Sequence, residues 1–175
     1  MISNKIIGKI FLSIAILYMY GAVKAMDIEV HFQKKKFVGS YNKLEAFDQN
    51  NQRIGDLLYY SELNDNSCVL VGLKVLEEEQ KKGIGSQLFL MLLHEANAEG
   101  RSEVRWNAYE KAVPFYQRFG AKIFPRSSDL VHMEFNFERD GNPEENLKKY
   151  YANKSKQLKS KIMTLFSYLI SYYDW

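Results

Sequence analysis

The stretch from Cys68 to Gly100 constrains the fold more than any other part of the chain. Cys68-Val69-Leu70-Val71-Gly72-Leu73-Lys74-Val75-Leu76 is a nearly continuous apolar run of strand length, the pattern of a strand that sits centrally in its sheet. From Gly83 the period changes: Ile84, Leu88, Met91, Leu92 and Ala96 recur at helical spacing, and Gly100 supplies a stop just past Glu99. Between the two lies a polar loop ending in Gln80-Lys81-Lys82-Gly83-Ile84-Gly85. A diphosphate needs converging N–H donors on a backbone that can come close, and a helix N-terminus offers both donors and a favourable dipole. The glycines permit close approach, while Gln80, Lys81 and Lys82 add side-chain donors or positive charge. Gly-x-Gly alone identifies little, since a tight turn without a ligand produces it too. The loop lacks both the Walker pattern and the Gly-x-Gly-x-x-Gly dinucleotide fingerprint, which sets those nucleotide readings back.

The flanking sequence places this unit in one domain. At 175 residues and 46% hydrophobic, the chain can bury one core of ordinary size with short extensions. Ile28 to Phe32 alternates as a half-buried strand, and Lys43 to Asp48 and Ile54 to Ser61 flank the turn cluster Gln49-Asn50-Asn51-Gln52. After the helix come a strand at Glu103 to Trp106, a helix at Lys111 to Phe119 stopped by Gly120, and strands at Ala121 to Phe124 and Val131 to Phe137. Cys68 is the only cysteine, which excludes an intramolecular disulfide, and its apolar setting reads as a small core residue.

A second pattern gives the loop its identity. Trp106-Asn107-Ala108 closes a strand, and Ala112 with Phe115-Tyr116-Gln117-Arg118-Phe119-Gly120-Ala121 follows as a helix ending Phe-Tyr-x-x-hydrophobic-Gly. Together with Leu73-Lys74-Val75 and Gln80 to Ser86, this resembles the two signatures of the GNAT N-acetyltransferase superfamily, in order and at the family's spacing. The resemblance implies an α/β (α+β) GNAT fold, a mixed and mostly antiparallel sheet of about seven strands with helices on its faces. It also implies acetyl-CoA as cosubstrate, an amine as acceptor, and no metal. Backbone groups at Leu73 and Val75 would pair with the pantetheine arm. Gln80, Lys81, Lys82, Gly83, Ile84, Gly85 and Ser86 would hold the pyrophosphate. Asn107 would contact the cofactor or position the acceptor, and Tyr116 would protonate the departing CoA thiolate. An aromatic core residue with its hydroxyl tied to a backbone carbonyl is the alternative for Tyr116.

Two departures limit what the resemblance carries over. Cys68 to Leu76 contains no carboxylate to serve as general base, Glu77, Glu78 and Glu79 read as exposed loop charges, and His94 and His132 read as structural, so no base is assigned. About ten residues separate Phe32 from Lys43, too few for the helices the family carries between its first two strands. The acceptor side is then open, which suits a peptide or protein amine, or is covered by the C-terminal segment, or turnover has been lost.

The ends of the chain add further expectations. Lys5 and Lys9 precede the apolar run Ile10 to Val23, and Val23-Lys24-Ala25 offers small residues for cleavage, so residues 1–25 read as a signal peptide or hydrophobic anchor, alternatively as a first helix packed on the domain. Residues 26–140 would be the catalytic domain, secreted or membrane-anchored, and cytoplasmic if residues 1–25 are no export signal. Residues 141–175 read as a basic C-terminal helix whose lysines and terminal aromatics suit either a membrane interface, through residues 162–175, or packing on the sheet. The net charge of +3 is carried by the lysines of residues 1–25, so the remainder is neutral and nucleic-acid binding is not expected. The function expected is acetyl transfer to the amine of a peptide, protein or small molecule; the alternative is an exported or anchored CoA-binding module without catalysis.

Overall fold

The computed structural model describes residues 30–36, 39–61, 65–124 and 130–173, with the side chains of 159 and 162–173 excepted. Seven strands form one sheet: β1 (His31–Lys36), β2 (Tyr41–Phe47), β3 (Arg53–Ser61), β4 (Ser67–Val75), β5 (Glu103–Ala108), β6 (Lys122–Ile123) and β7 (Val131–Asn136). Their spatial order is β1-β2-β3-β4-β5-β7-β6, so β4 is central, as its apolar run requires. All neighbouring pairs are antiparallel except β4 and β5. The mixed, mostly antiparallel GNAT sheet expected from the sequence is the one present.

Local chemistry sets the connections. In the β2–β3 turn, one carboxylate oxygen of Asp48 accepts from the amides of Asn50 (2.9 Å) and Gln52 (2.8 Å), which lets Asn51 take a left-handed φ of 62°. Helix α1 (Ile84–Ala98) follows β4, and a 3-10 turn (Glu110–Ala112) leads into the short helix α2 (Val113–Gln117) after β5. The helix expected over Lys111 to Phe119 is therefore shorter and starts as a tighter turn. The strand expected from Ala121 to Phe124 keeps only Lys122–Ile123, and Phe137 begins a short helix, α3 (Phe137–Asp140), because Asn136 accepts from the Arg139 amide at 2.9 Å as its cap.

One face of the sheet carries the core. Leu44, Leu57, Tyr59, Val104 and Phe135 are fully buried there with Leu88, Phe89, Leu92 and Leu93 of α1. The connection from β1 to β2 spans residues 37–40, too short for a helix, so the missing helices are indeed missing. Toward β1, the opposite face carries ion pairs instead of a core: Glu45 meets Lys35 at 2.8 Å and Lys43 and Arg53 at 3.2 Å.

The final helix, α4 (Pro143–Tyr173), is 31 residues long. Its first turn docks on the helical face: Asn146 Nδ2 donates to the carbonyls of Phe119 (3.0 Å) and Asp140 (2.8 Å), His94 Nε2 lies 3.2 Å from Glu144, and Leu147 packs on the core. Further along, Arg118 donates to the Tyr151 hydroxyl at 3.1 Å and lies over the Tyr150 ring, while residues 148–158 are otherwise exposed, and α4 does not cover the opposite face within its described residues. No described helix is long and apolar enough to cross a membrane. The N-terminal segment 1–25 and the side chains of 162–175 lie outside the described residues.

Candidate active site

The site is built where two parallel strands part. β4 and β5 pair from Ser67–Glu103 to Leu70–Trp106; beyond that β4 continues to Val75 along β3 alone, while β5 continues to Ala108 along β7. A register shift between Leu58 and Tyr59 of β3 leaves Val71 as the extra residue of a bulge in β4, half-exposed at the point of separation. From Val71 to Val75 one edge of β4 therefore has no strand beside it. Helix α1 starts past the end of β4 and helix α2 past the end of β5, so both flank the carboxyl ends of the parallel pair, where open sheets form their binding crevices.

The loop entering α1 has the features expected of an anion site. Gly83, at φ 87°, is the N-cap, with no side-chain cap and no acidic residue in the first turn. The leading amides of a helix have no intrahelical acceptor, and here no cap of the chain's own takes them. Lys81 also has a left-handed φ, 66°, a costly conformation for a side-chain-bearing residue outside functional turns. Gly85 faces Val75 and Phe115, where an added Cβ would stand 3.6 and 3.7 Å from their nearest carbons.

The side chains of this loop are placed differently from one another. Gln80 Nε2 donates to the Val75 carbonyl at 3.2 Å, so Gln80 closes the loop onto the end of β4 and occupies one of the two backbone groups assigned to the pantetheine arm. Lys82 is paired to Glu79 at 2.9 Å. Lys81 is exposed, Ile84 is buried in the core, and Ser86 is half-buried in the first turn of α1. The charge and donors directed outward thus come from the backbone and Lys81, a smaller set than the sequence suggested.

Across the separation lies an aromatic cluster. Phe89, one turn beyond Gly85, meets Trp106 (5.3 Å between centroids), Tyr116 (5.1 Å) and Phe119 (5.0 Å) edge-on. Tyr116 is 8% exposed, and burial pushes its phenol up to about 12. Its hydroxyl forms no hydrogen bond among the described residues, so the backbone-carbonyl tie of the alternative reading is not present. The helical spacing that picks out Leu88, Met91 and Leu92 does not include Phe89, although Met91 packs against the core and Phe89 is fully buried; its four-residue spacing from Gly85 is the available signal. Trp106 is 4% exposed, and its Nε1 is a buried donor without a partner among the described residues.

Asn107 is exposed on the face opposite the Trp106 ring and lines a cavity of about 770 Å³ with Tyr41, Tyr60, Val71 and His132. Its rim is charged but internally paired: Arg105 bonds Asp65 at 2.7 Å and also Glu103, and Arg139 bonds Glu134 at 2.5 Å. Glu77 and Glu78 are exposed, as expected. Cys68 is fully buried, and burial pushes its thiol up to about 12, which suits a core residue and not a nucleophile.

Residues 23–127 match the family model described as an acetyltransferase (GNAT) domain. Solved structures share the fold. The PaiA N-acetyltransferase of Thermoplasma acidophilum, in complex with coenzyme A, aligns with a TM-score of 0.51 and 23% identity over 55% of this chain. This chain spans 61% of that protein's length. The IAA acetyltransferase of Bacillus cereus aligns with a TM-score of 0.54 and 15% identity, over 62% of this chain and 99% of its own. Nourseothricin acetyltransferase aligns at 0.50 and 13%, over 66% of this chain and 93% of its own. No curated protein matches the sequence.

Proposed function

The chain belongs to the GNAT acetyltransferase family, and on that premise we propose that it is an acetyl-CoA-dependent N-acetyltransferase. The acceptor is an amine of a peptide, protein or small molecule, which attacks the thioester directly. The reading is carried by one observation: β4 and β5 part beyond Leu70 and Trp106, with an uncapped helix N-terminus after one strand and a buried phenol after the other.

The residues present fit the cosubstrate. The open edge of β4 near Leu73 offers backbone partners to a pantetheine arm, with Val75 contributing less because its carbonyl is taken by Gln80. The amides from Lys81 to Ser86 point a positive dipole at a diphosphate, and Gly85 leaves room for it. Acetyl-CoA, when bound, supplies an activated acyl group on sulfur. Tyr116 holds the proton that the departing thiolate takes, and Asn107, on the cavity wall, positions the acceptor.

A phenol at about 12 is reliably protonated, yet giving its proton to a thiolate of ordinary basicity is uphill by about three pKa units. Exclusion of water raises the departing thiol as well, since burial disfavours every anion, and this narrows the gap. No base is assigned to the amine's own proton: β4 carries no carboxylate and Glu79 is paired with Lys82, which leaves a water relay as one route.

Tyr116→Phe tests the assignment: turnover should fall while CoA affinity, measured by calorimetry, stays at the wild-type value. Equal turnover would remove the proton-donor role. The absence of a carboxylate on β4 favours one second reading, a CoA-binding module without catalysis, supported if calorimetry detects CoA and no amine is acetylated in a screen of peptides, polyamines and aminoglycosides. Residues 1–25 belong to the proposal as an export signal or anchor. N-terminal sequencing of the mature chain, with fractionation, distinguishes cleaved, anchored and cytoplasmic forms.

A further inference from the structure

The indole N–H of Trp106 is the buried donor that the fold does not satisfy at this site. Trp106 is 4% exposed, and its Nε1 has no acceptor among the described residues. Leaving such a donor unpaired costs about 1–3 kcal/mol, so a buried indole N–H ordinarily has a protein or ligand partner. Its position is informative. Trp106 is the last residue of β5 paired with β4, opposite Leu70, so its ring sits on the core face at the point where the strands begin to separate. Its ring is tilted at 51° against Tyr116 with centroids 4.8 Å apart.

We infer that Trp106 Nε1–H is the donor that receives the thioester carbonyl oxygen of bound acetyl-CoA. The inference rests on the acetyl-CoA reading above and goes beyond it by assigning the acyl group its own recognition residue. A thioester sulfur and its carbonyl oxygen are bonded to the same carbon. Two donors on adjacent rings can therefore serve them together, the Tyr116 hydroxyl toward sulfur and the Trp106 indole toward oxygen. An indole donates and cannot accept, so it discriminates for a carbonyl oxygen and offers nothing to free CoA, which lacks that oxygen.

The consequence is a preference for acetyl-CoA over CoA that depends on one N–H. In Trp106→Phe the aromatic contacts with Phe89 and Tyr116 are retained and only the donor is lost. Calorimetry on the full chain should show acetyl-CoA affinity reduced about tenfold, in line with the net worth of one buried hydrogen bond, and CoA affinity unchanged. Equal acetyl-CoA affinity in the two proteins, or an equal fall for both ligands, overturns the inference while leaving the acetyl-CoA reading standing. A wild-type protein that binds neither ligand overturns the acetyl-CoA reading and the inference with it. Fluorescence gives an answer independent of whether Trp106→Phe folds. The chain has two tryptophans, so Trp175→Phe leaves Trp106 as the only indole emitter. Its emission should shift on adding acetyl-CoA and not on adding CoA; identical responses to both overturn the assignment.

Discussion

Trp106 and Tyr116 lie ring against ring, 4.8 Å between centroids, and Phe89 stands edge-on to both at 5.3 and 5.1 Å. The Tyr116 hydroxyl is thus positioned by packing alone, since it makes no hydrogen bond among the described residues. Tyr116→Phe should leave stability within about 0.5 kcal/mol of wild type while kcat falls about 100-fold, the scale of a lost general acid. The sign of the pH dependence follows from burial, which raises the phenol to about 12: the donor form is fully present below that value and lost only above it. A rate profile measured to about pH 10 should show no falling limb from this group. Such a limb, abolished in Tyr116→Phe, would contradict the burial assigned to it.

Gly85 separates ligand approach from chain packing. A methyl at this position would stand 3.6 Å from Val75 and 3.7 Å from Phe115, ordinary contact distances. Its backbone is helical, so Gly85→Ala should be neutral or stabilising by up to about 1 kcal/mol. On the proposed placement of the diphosphate against the first amides of α1, acetyl-CoA affinity should nevertheless fall about tenfold or more. Thermal denaturation and calorimetry on one preparation check both halves. Unchanged affinity would move the diphosphate away from the first turn of α1.

Sequence periodicity located these elements because the features that define them are local. The apolar run of β4, the switch to helical spacing at Gly83 and the stop at Gly100 each depend on neighbours in the chain, and α1 runs from Ile84 to Ala98 as they require. The end of β5 at Ala108 and the short helix carrying Tyr116 follow from the same kind of local spacing. What could not be read depends on tertiary partners. The Gln80 amide looks like a ligand donor in the sequence, yet it bonds Val75, because the loop folds back on the strand it leaves. Lys82 looks like a phosphate contact and is paired to Glu79. The orphaned indole of Trp106 arises only where β4 and β5 separate, a property of pairing that neither strand's own sequence records. The docking of α4 turns on Asn146, a polar residue within a run read only as basic and amphipathic.

Asn146 fastens α4 to the domain. Its Nδ2 serves two carbonyls, of Phe119 at 3.0 Å and Asp140 at 2.8 Å, both at ends of short helical segments that lack further turns to satisfy them. Asn146→Ala removes both hydrogen bonds and leaves two half-buried acceptors, a loss of about 1–2 kcal/mol. Limited proteolysis within residues 148–158, already exposed, should accelerate, with the domain's own melting midpoint lowered by a few degrees. Gly120 reinforces the point: at φ 96°, a Cβ there would stand 2.5 Å from Asn146 Nδ2, so Gly120→Ala should be at least as damaging as the loss of Asn146 itself. A Gly120→Ala protein as stable as wild type would show that this junction is not a fixed contact.

Glu45 makes the bare face of the sheet pH-sensitive. It is 6% exposed, and Lys35, opposed by burial and assisted by Arg53 and Lys43, lowers its carboxyl from the ordinary 4.5 to about 2. A depressed carboxylate contributes stability that is fully present above its unfolded value and is lost as pH falls through the window from 4.5 to about 2. The shift corresponds to at most about 3 kcal/mol, and about 1–2 kcal/mol is the better expectation because Lys35 and Arg53 are themselves more than half exposed and screened by solvent. Glu45→Gln should be less stable than wild type by that amount at pH 7 in urea titrations. The gap should close as both proteins approach pH 2, since protonation leaves Glu45 as uncharged as glutamine. Other carboxylates titrate in the same range in both proteins and cancel in the difference. A gap that stays constant from pH 7 to pH 2 would mean that Glu45 stabilises the sheet through packing and not through its charge.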